Sequence, residues 1–532
     1  MQLISFFKKI DRFLDRQTLL LLLLVLIIIL RLPNFFEPYW YGDEAIYLTL
    51  GNALKQGGQL YTTIIDHKTP LIYYLAMVPN QLYFRVLNLC WMLATTTFFF
   101  YFAKKLFKKE SKAFLASLIL VILTSLPWLE GNIPNGELFV MGFVMLGAVF
   151  FTHSSIFTNL LQKELVFKQT LKDGLILSAA GAMMGLGILT KVPALLDAAA
   201  FLAIFALLFS KVLFNPKNEA KMIKQSFFYL ANRGLFFGLG LITPILISIL
   251  YFVSKGQGQD YLDYGLLYNF RYSQSWSLDL GNDLLNFAFS MAGKTIILFI
   301  LFSLIILNHE QLKKSFQFIS LYFIFALYSV LLSNRPYPHY FIQMVPALAL
   351  LLVETFSTLQ TILRKHKQKK ILGLGKTLVL SAGLLSLTIY IMLSLNFKPY
   401  STVKYYKQFY KYATLQISKE EYENSFDSLV AENRQVSQLI KEMGLKKIFI
   451  WGTNPLLYAQ SHTIPTSRFT VSFHIKDFGD HDRTMAQIRQ EKPKLIIVMN
   501  NETDNFPQLT SYLQEFYLEN NEFQHMRLYL RR

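Results

Sequence analysis

The stretch YGDEAIYLTLGNALKQGGQLYTTIIDHKTPL, Tyr41 to Leu71, holds two groups of ionisable residues: Asp43 beside Glu44, then Asp66, His67 and Lys68. A carboxylate fixed at a helix start can orient or deprotonate a hydroxyl. A lysine close by can neutralise a phosphate. Each group also has a plainer use. GDEAIYLTLGNAL reads as a helix start with acids in its first turn, where they answer free N–H groups and the helix dipole. Lys68 can snorkel from an apolar surface to lipid headgroups. His67 fits a loop surface, a metal ligand or a hydrogen-bond donor.

Further polar residues interrupt the apolar chain downstream. Glu130, Asn132, Asn135 and Glu137 share one short connection, Lys191 lies in another, and Tyr268 opens YNFRYSQSW. Arg335, His339 and Tyr340 sit in SNRPYPHYF, where an aromatic belt with Pro-rich loop geometry is the bland account. Lys191 and Asp197 flank the start of an apolar block in LTKVPALLD. Ionisable residues in that setting mark function by default, although an ion pair between them would serve structure alone.

Apolar blocks must position these residues. Of the 532 residues 53% are hydrophobic and only 16% charged, with mean hydropathy +0.34, too apolar for a soluble chain of this size. TLLLLLLVLIIILRL, Thr18 to Leu32, is the plainest block. About twenty such residues span a bilayer as a helix. Its flank carries Lys8, Lys9, Arg12 and Arg16, but RLPNFFEPYW offers no small-residue cleavage site, so it reads as a retained span. About eleven spans are expected: Thr18–Arg31, Leu82–Ala103, Ala113–Trp128, Leu138–Phe151, Leu175–Thr190, Ala194–Phe209, Leu235–Phe252, Phe287–Leu307, Phe316–Leu332, Phe341–Phe356 and Thr377–Leu395. PLIYYLAMVP, Pro70 to Pro79, is too short to span and is expected to be re-entrant or to extend the next helix.

The net charge of +18 sits largely in short connections, as in KKLFKKESK and RKHKQKK, and so argues for membrane topology and anionic-lipid contacts rather than nucleic acid. With the amino terminus inside, the connections Leu106–Lys112, Thr158–Lys172, Val212–Gly234, Asn308–Ser315 and Ser357–Lys376 are cytoplasmic, each with two or more Lys or Arg. Those around Glu130–Gly136, Lys191–Pro193 and Ser333–Tyr340 carry none or one and face outward. The polar residues named above then collect on one side. Cys90, the single cysteine, lies in an apolar run; a buried, inert thiol is expected, with no intramolecular disulfide and no Cys-based metal site.

Beyond Asn396 the character changes. NRQVSQLIKEMG reads as an amphipathic helix with a glycine stop, Lys447–Trp451 and Leu495–Met499 as buried strands, and FPQLTSYLQEFY as another helix. The expected organisation is a transmembrane core, 1–395, with a first outer loop at 33–81, and a small extracytoplasmic α/β domain, 396–532, with some parallel sheet.

Together GDEAIYLTLGNALKQGGQLYTTIIDHKTPLIYYL, GLGILTKVPALL, RPYPHYFIQMVPALALL and KKIFIWGTNPLLYAQSHTIPTSRF resemble the GT-C type polyprenyl-phosphate-sugar glycosyltransferases, the group of protein O-mannosyltransferases and bacterial aminoarabinose lipid A transferases. The resemblance implies a polytopic helical core and an inverting transfer of a sugar from a polyprenyl phosphate to an acceptor hydroxyl, at the outer face of the cytoplasmic membrane. It implies that Asp43, with Glu44 as its neighbour, serves the acceptor, and that Lys68, in K-x-P, meets the donor phosphate with Arg335. Asp66, His67, Glu137, Lys191, Tyr268, His339 and Tyr340 are the expected substrate contacts. His67 stands where the lipid A transferases carry an acid, which puts a borrowed metal site in doubt. His67 and His339 are far apart and make no metal motif, so no cofactor is expected, a divalent metal being the one exception left open. The expected partners are the lipid-linked sugar, membrane lipid, and an acceptor that is a protein, lipid or glycan. One alternative is a polytopic transporter or flippase, which would carry inverted repeats and midplane charges; a second is a non-enzymatic membrane scaffold whose outer α/β domain binds a partner.

Overall fold

The computed structural model describes residues 16–162, 165–168, 170–276, 278–364, 371–520 and 523–532. The basic flank Lys8, Lys9 and Arg12 and most of RKHKQKK lie outside the described residues. Every expected apolar segment falls largely on helix. Among the described residues seven helices are long and apolar enough to cross a membrane, or up to nine when each of two bent pairs counts as one span. Those pairs are Gly136–Phe151 with Ser155–Leu161, bent by 79°, and Asp283–Phe289 with Met291–Leu307, bent by 75°. Glu110–Ser125 and Lys314–Val330, of 16 and 17 residues, are shorter. The chain is a multi-pass membrane protein.

The bundle interior is apolar and aromatic, with Phe99, Phe151, Phe201, Phe237 and Phe318 fully buried. Its outer surface is apolar too: Ile29, Leu250 and Phe299 are 60%, 65% and 69% exposed. A helix apolar all round suits lipid outside and packing inside. Leu171–Thr190 and Ala220–Ser254 cross so closely that a Cβ on Gly240 would lie 2.0 Å from the Ser178 carbonyl oxygen, an approach that only a small residue allows.

Three expectations need correction. The connection Val212–Gly234 is mostly helix, because Ala220–Ser254 runs unbroken for 35 residues. Its lysines lower the hydropathy but are good helix formers, so charge there marks a face and not a break. Pro70–Pro79 does not extend Gln81–Phe107: Leu71–Leu75 is its own short helix with Ile72 and Tyr73 buried. Cys90 is exposed, one turn on from Val86 on the outward face of Gln81–Phe107.

One buried cation ties the first span to its neighbours. Arg31, 1% exposed, ends the helix Arg16–Arg31. It donates to Asn88 Oδ1 (2.5 Å) and to the carbonyl oxygens of Thr124 and Gly131 (2.6 Å each). It thereby fixes the connection that carries Glu130.

After the last apolar helix, Ile371–Ser394, come the amphipathic helix Thr402–Ala413 and an α/β domain. Its sheet holds β1 Lys447–Trp451, β2 Ile464–Pro465, β3 Leu495–Met499, β4 Tyr517–Asn520 and β5 Met526–Arg531, in the order β2-β1-β3-β5-β4. The β1 strand is parallel to β2 and β3, while β5 is antiparallel to β3 and β4. Alternate residues of β1 serve two cores. Ile448 and Ile450 pack with Val436 and Leu457, and Phe449 and Trp451 with Met485 and Phe506.

Candidate active site

Asp43 and Glu44 occupy the first turn of the helix Gly42–Lys55. That helix lies against the end of Leu71–Leu75, where a Cβ on Gly51 would fall 2.3 Å from the Ala76 carbonyl oxygen. The segment Asp66–Thr69 has no regular structure and is held by cross-links. Tyr61 Oη donates to the Lys68 carbonyl (2.8 Å), the Lys68 N–H to Tyr73 Oη (3.1 Å), Asn269 Nδ2 to the His67 carbonyl (2.9 Å) and Thr69 Oγ1 to the Ile188 carbonyl (2.9 Å). The Ile65 N–H donates to the Arg468 carbonyl of the carboxy-terminal domain (2.7 Å).

These segments wall a cavity of about 630 Å³ at the end of the bundle covered by that domain. Asp43, Asp66, His67, Lys68, Glu137, Lys191, Arg335, His339 and Tyr340 all line it. Lys68 Nζ is 3.6 Å from Asp43 Oδ2 and 3.5 Å from Asp66 Oδ2, and lies 5.1 Å above the Tyr47 ring. Tyr47 Oη donates to Asp43 Oδ2 at 3.1 Å and Tyr73 Oη to Asp66 Oδ2 at 2.6 Å. Burial is the largest single influence and would raise both carboxyl pKa values, but Lys68 together with the other neighbouring basic groups, His339 and Lys191 at Asp43 and His67 and His474 at Asp66, outweighs it and holds Asp43 below, and Asp66 well below, the ordinary range. Burial likewise opposes the charge on Lys68, yet Asp43 and Asp66 keep it protonated above the usual lysine range.

A second group lines the same cavity. Lys191 pairs with Glu137 and lies 4.2 Å above the Tyr340 ring. His339 Nδ1 meets Glu130 Oε2 at 2.5 Å and Tyr41 Oη at 3.0 Å, and Tyr41 donates to the same carboxylate. The Arg335 guanidinium stacks 4.2 Å from the Tyr272 ring, whose hydroxyl is 3.2 Å from that of Tyr340. His67 stacks on the same Tyr272 ring at 4.4 Å.

Two expected site residues stand elsewhere. Glu44, 1% exposed, turns away from the cavity and accepts two bonds of 2.8 Å from Arg85 and one of 2.9 Å from Gln81. Successive helical residues point about 100° apart, so Asp43 and Glu44 cannot share a site. Tyr268 does not line the cavity; its hydroxyl donates to Asp477 at 2.8 Å and secures the carboxy-terminal domain. Nor do Lys191 and Asp197 pair: Lys191 takes Glu137, while Asp197 accepts from Gln343 at 2.6 Å. Glu130, singled out in the sequence only as one of the polar residues of its connection, joins the site; so do Tyr41, Tyr272 and His474, from the helix Ser472–Phe478, which sequence reasoning did not select. No motif announces His474; burial drives its pKa down to about 3, so it is neutral. Asp66, His67 and His474 form the one group with metal-ligand spacing among the described residues, their ligand atoms within 4.8 Å of one another.

No family model matches the sequence, and no curated protein matches it. Among solved structures the chain is similar to ArnT from Cupriavidus metallidurans bound to undecaprenyl phosphate, with a TM-score of 0.50 and 11% identity over 96% of this chain and 97% of that one. The apo state of the same protein gives 0.50 and 10% over 95% and 97%. The archaeal oligosaccharyltransferase AglB from Archaeoglobus fulgidus, in complex with an inhibitory peptide and a dolichol-phosphate, aligns over 91% of this chain and 69% of its own, with a TM-score of 0.42 and 10% identity. At such identities the likeness is one of fold. The chain has the GT-C fold, a polytopic helical core followed by a small α/β domain.

Proposed function

We propose that the chain is an inverting glycosyltransferase that moves a sugar from a polyprenyl-phosphate donor to an acceptor hydroxyl at the outer face of the cytoplasmic membrane. The observation that carries this reading is the pairing of Asp43 with Lys68, 3.6 Å apart, in a cavity at the end of a lipid-facing bundle. A donor with an apolar tail and a charged head needs that junction, where hydrocarbon and fixed charge meet. The GT-C fold agrees with it.

In the proposed reaction the acceptor oxygen attacks the anomeric carbon as the bond from that carbon to the lipid phosphate oxygen breaks. Configuration inverts, the electron pair stays on the phosphate and the acceptor proton passes to Asp43. No general acid is needed, because the phosphate leaves as an anion. Lys68 and Arg335 stabilise it. Before the donor binds, Lys68 holds Asp43 as a weak base. A phosphate that draws the ammonium toward itself relieves that hold and leaves Asp43 more basic, which favours donor binding before acceptor deprotonation. His67, Asp66, Glu137, Lys191, His339 and Tyr340 are proposed to contact the sugar and acceptor. The carboxy-terminal domain, extracytoplasmic in this reading, closes the cavity with Phe473, His474 and Asp477.

The test offers purified protein in detergent a panel of radiolabelled polyprenyl-phosphate sugars and mixed cell-envelope acceptors, beside Asp43→Asn. Label reaching an acceptor only with the unmutated protein supports the reading. Full turnover by Asp43→Asn removes the base assignment. No transfer from any donor favours the transporter, which sugar or lipid uptake into vesicles would reveal.

A further inference from the structure

The helix Thr402–Ala413, between the last apolar helix and the α/β domain, has two unlike faces. Tyr405, Tyr406, Phe409 and Tyr412 turn inward. Tyr406 Oη donates to the Leu30 carbonyl at 2.7 Å and Tyr405 Oη to Asn34 Oδ1 at 2.9 Å. The Phe409 ring lies 5.5 Å from that of Phe36, and Tyr412 stacks on Tyr422 at 4.8 Å. At about 100° per residue, Val403, Lys404, Lys407, Tyr410 and Lys411 fall on the opposite side, and Val403 and Tyr410 are 80% and 62% exposed. Ser401, Val403, Lys404, Lys407, Gln408 and Lys411 line a shallow groove there.

This helix lies at the edge of the bilayer. Leu30 is the last residue but one of the apolar helix Arg16–Arg31, so a helix hydrogen-bonded to its carbonyl sits where the first span leaves the hydrocarbon. Partly exposed aromatics, Phe36, Trp128 and Tyr400, gather beside it, as an interfacial belt requires. The charge is unusual for this place. The connections around Glu130–Gly136, Lys191–Pro193 and Ser333–Tyr340 carry none or one Lys or Arg, whereas residues 396–417 hold four lysines and no Asp or Glu. Positive charge sets topology from the cytoplasmic side, so topology does not account for these lysines. Nor do carboxylates: among the described residues Lys404, Lys407 and Lys411 form no ion pair.

We infer that the groove binds the phosphodiester headgroup of an anionic phospholipid of the surrounding bilayer. Lys404, Lys407 and Lys411 stand one turn apart on one face, so their ammonium groups can meet a single phosphate or its neighbours. The Ser401 oxygen caps the helix by accepting from the Lys404 N–H at 3.3 Å, which leaves the hydroxyl proton free to donate. Val403 and Tyr410 offer apolar surface beside the stripe, and the lysine stems can lie along lipid while their heads stay wet. The inner face passes this grip on. Tyr405 also donates to Glu37, and Arg85 joins Glu37 to Glu44, the neighbour of Asp43. A lipid held outside therefore braces the scaffold behind the cavity. Lipid binding does not depend on the proposed reaction.

The experiment uses full-length protein in detergent with an environment-sensitive fluorophore on Tyr410→Cys in a Cys90→Ser background, so that the label reports on this helix alone. Dioctanoyl phosphatidylglycerol should give a saturable shift, and dioctanoyl phosphatidylcholine little or none. A lysine beside an anionic headgroup surface is worth roughly 5-fold in binding, so Lys404→Gln, Lys407→Gln and Lys411→Gln together should weaken it roughly 100-fold. Lys404→Arg, Lys407→Arg and Lys411→Arg together should keep it. Lys108→Gln with Lys109→Gln, in the connection Leu106–Lys112, should leave the shift unchanged. Melting temperatures of the lipid-free variants separate lost binding from lost folding. An equal response to both lipids, or phosphatidylglycerol binding that survives in the folded triple Gln variant, overturns the inference. Saturation by inorganic phosphate or a soluble anionic glycan, with no response to phosphatidylglycerol, also overturns it and gives the groove to a soluble anion.

Discussion

Two charged clusters begin at adjacent residues and end in opposite conditions. Around Glu44 every partner is spoken for. Arg85 grips Glu44 in a two-pronged bond and approaches Glu37 at 3.5 Å, and Glu37 accepts from Asn132 (3.0 Å), Trp40 (2.8 Å) and Tyr405. Around Asp43 the ion pairs with Lys68 are longer, and one carboxylate oxygen has histidine nitrogens beside it yet accepts no hydrogen bond. Lys68 reaches its two acids only at 3.5–3.6 Å, the Asp43 side chain is 28% exposed to the cavity, and Asp66 Oδ1 has no hydrogen bond. A closed cluster holds a fold together. An open one keeps interactions in reserve for a ligand, and that difference, rather than the count of charges, separates scaffold from site.

The comparison breaks most sharply at its first member. Asp43→Asn should lower transfer by a factor of about 10²–10⁴ with the melting temperature in detergent barely changed; an unfolded variant would place Asp43 with the scaffold. Next comes the closed cluster. Arg85→Leu strands Glu44 in a buried site and should cost about 3–5 kcal/mol, read as a large fall in melting temperature or in extractable protein. A stable Arg85→Leu enzyme with impaired transfer would move this cluster into the site.

A subtler effect sits in the pH profile. Because Lys68, with His339 and Lys191 behind it, overcomes burial and depresses Asp43, the carboxylate stays ionised until pH falls below the ordinary range. Its contribution to stability, and its use as a base, are therefore present at neutral pH and lost only as pH falls through that depressed value. Lys68→Met removes the largest lowering influence and leaves burial, so the acid limb of residual transfer should move toward neutral pH. An unmoved limb would separate Asp43 from Lys68. The smallest effect belongs to the domain junction: Tyr268→Phe loses one hydrogen bond to Asp477, worth about 1 kcal/mol or less at that exposed acid, and should lower melting slightly with transfer kept above half.

The apolar core was legible because membrane helices announce themselves by length and composition alone. Lys68 and Asp43 were legible because they stand in the polar stretch after the first apolar block, in segments that resemble the GT-C enzymes. Glu44 was misplaced because neighbours in sequence are not neighbours on a helix surface. The helical start of Ala220–Ser254 read as a loop because its lysines mask a continuous helix. In the carboxy-terminal domain the buried strands β1 and β3 stood out, whereas the four-residue β4, and β5, whose apolar residues are broken by arginines, did not. His474 had no sequence signal at all. Its role depends on a contact across 407 residues, which only folding reveals.

Arg31 carries a consequence for how the protein is made. Its partners lie 57, 93 and 100 residues further along the chain. At a synthesis rate of about 5–20 residues per second, the last of them emerges about 5–20 s after Arg31 itself. Until then the first helix holds an arginine whose full set of partners does not yet exist, and water or lipid phosphate must stand in for those still missing. The first span is inserted early but locked late, so the amino-terminal helix and the connection bearing Glu130 mature together, as one step of biogenesis.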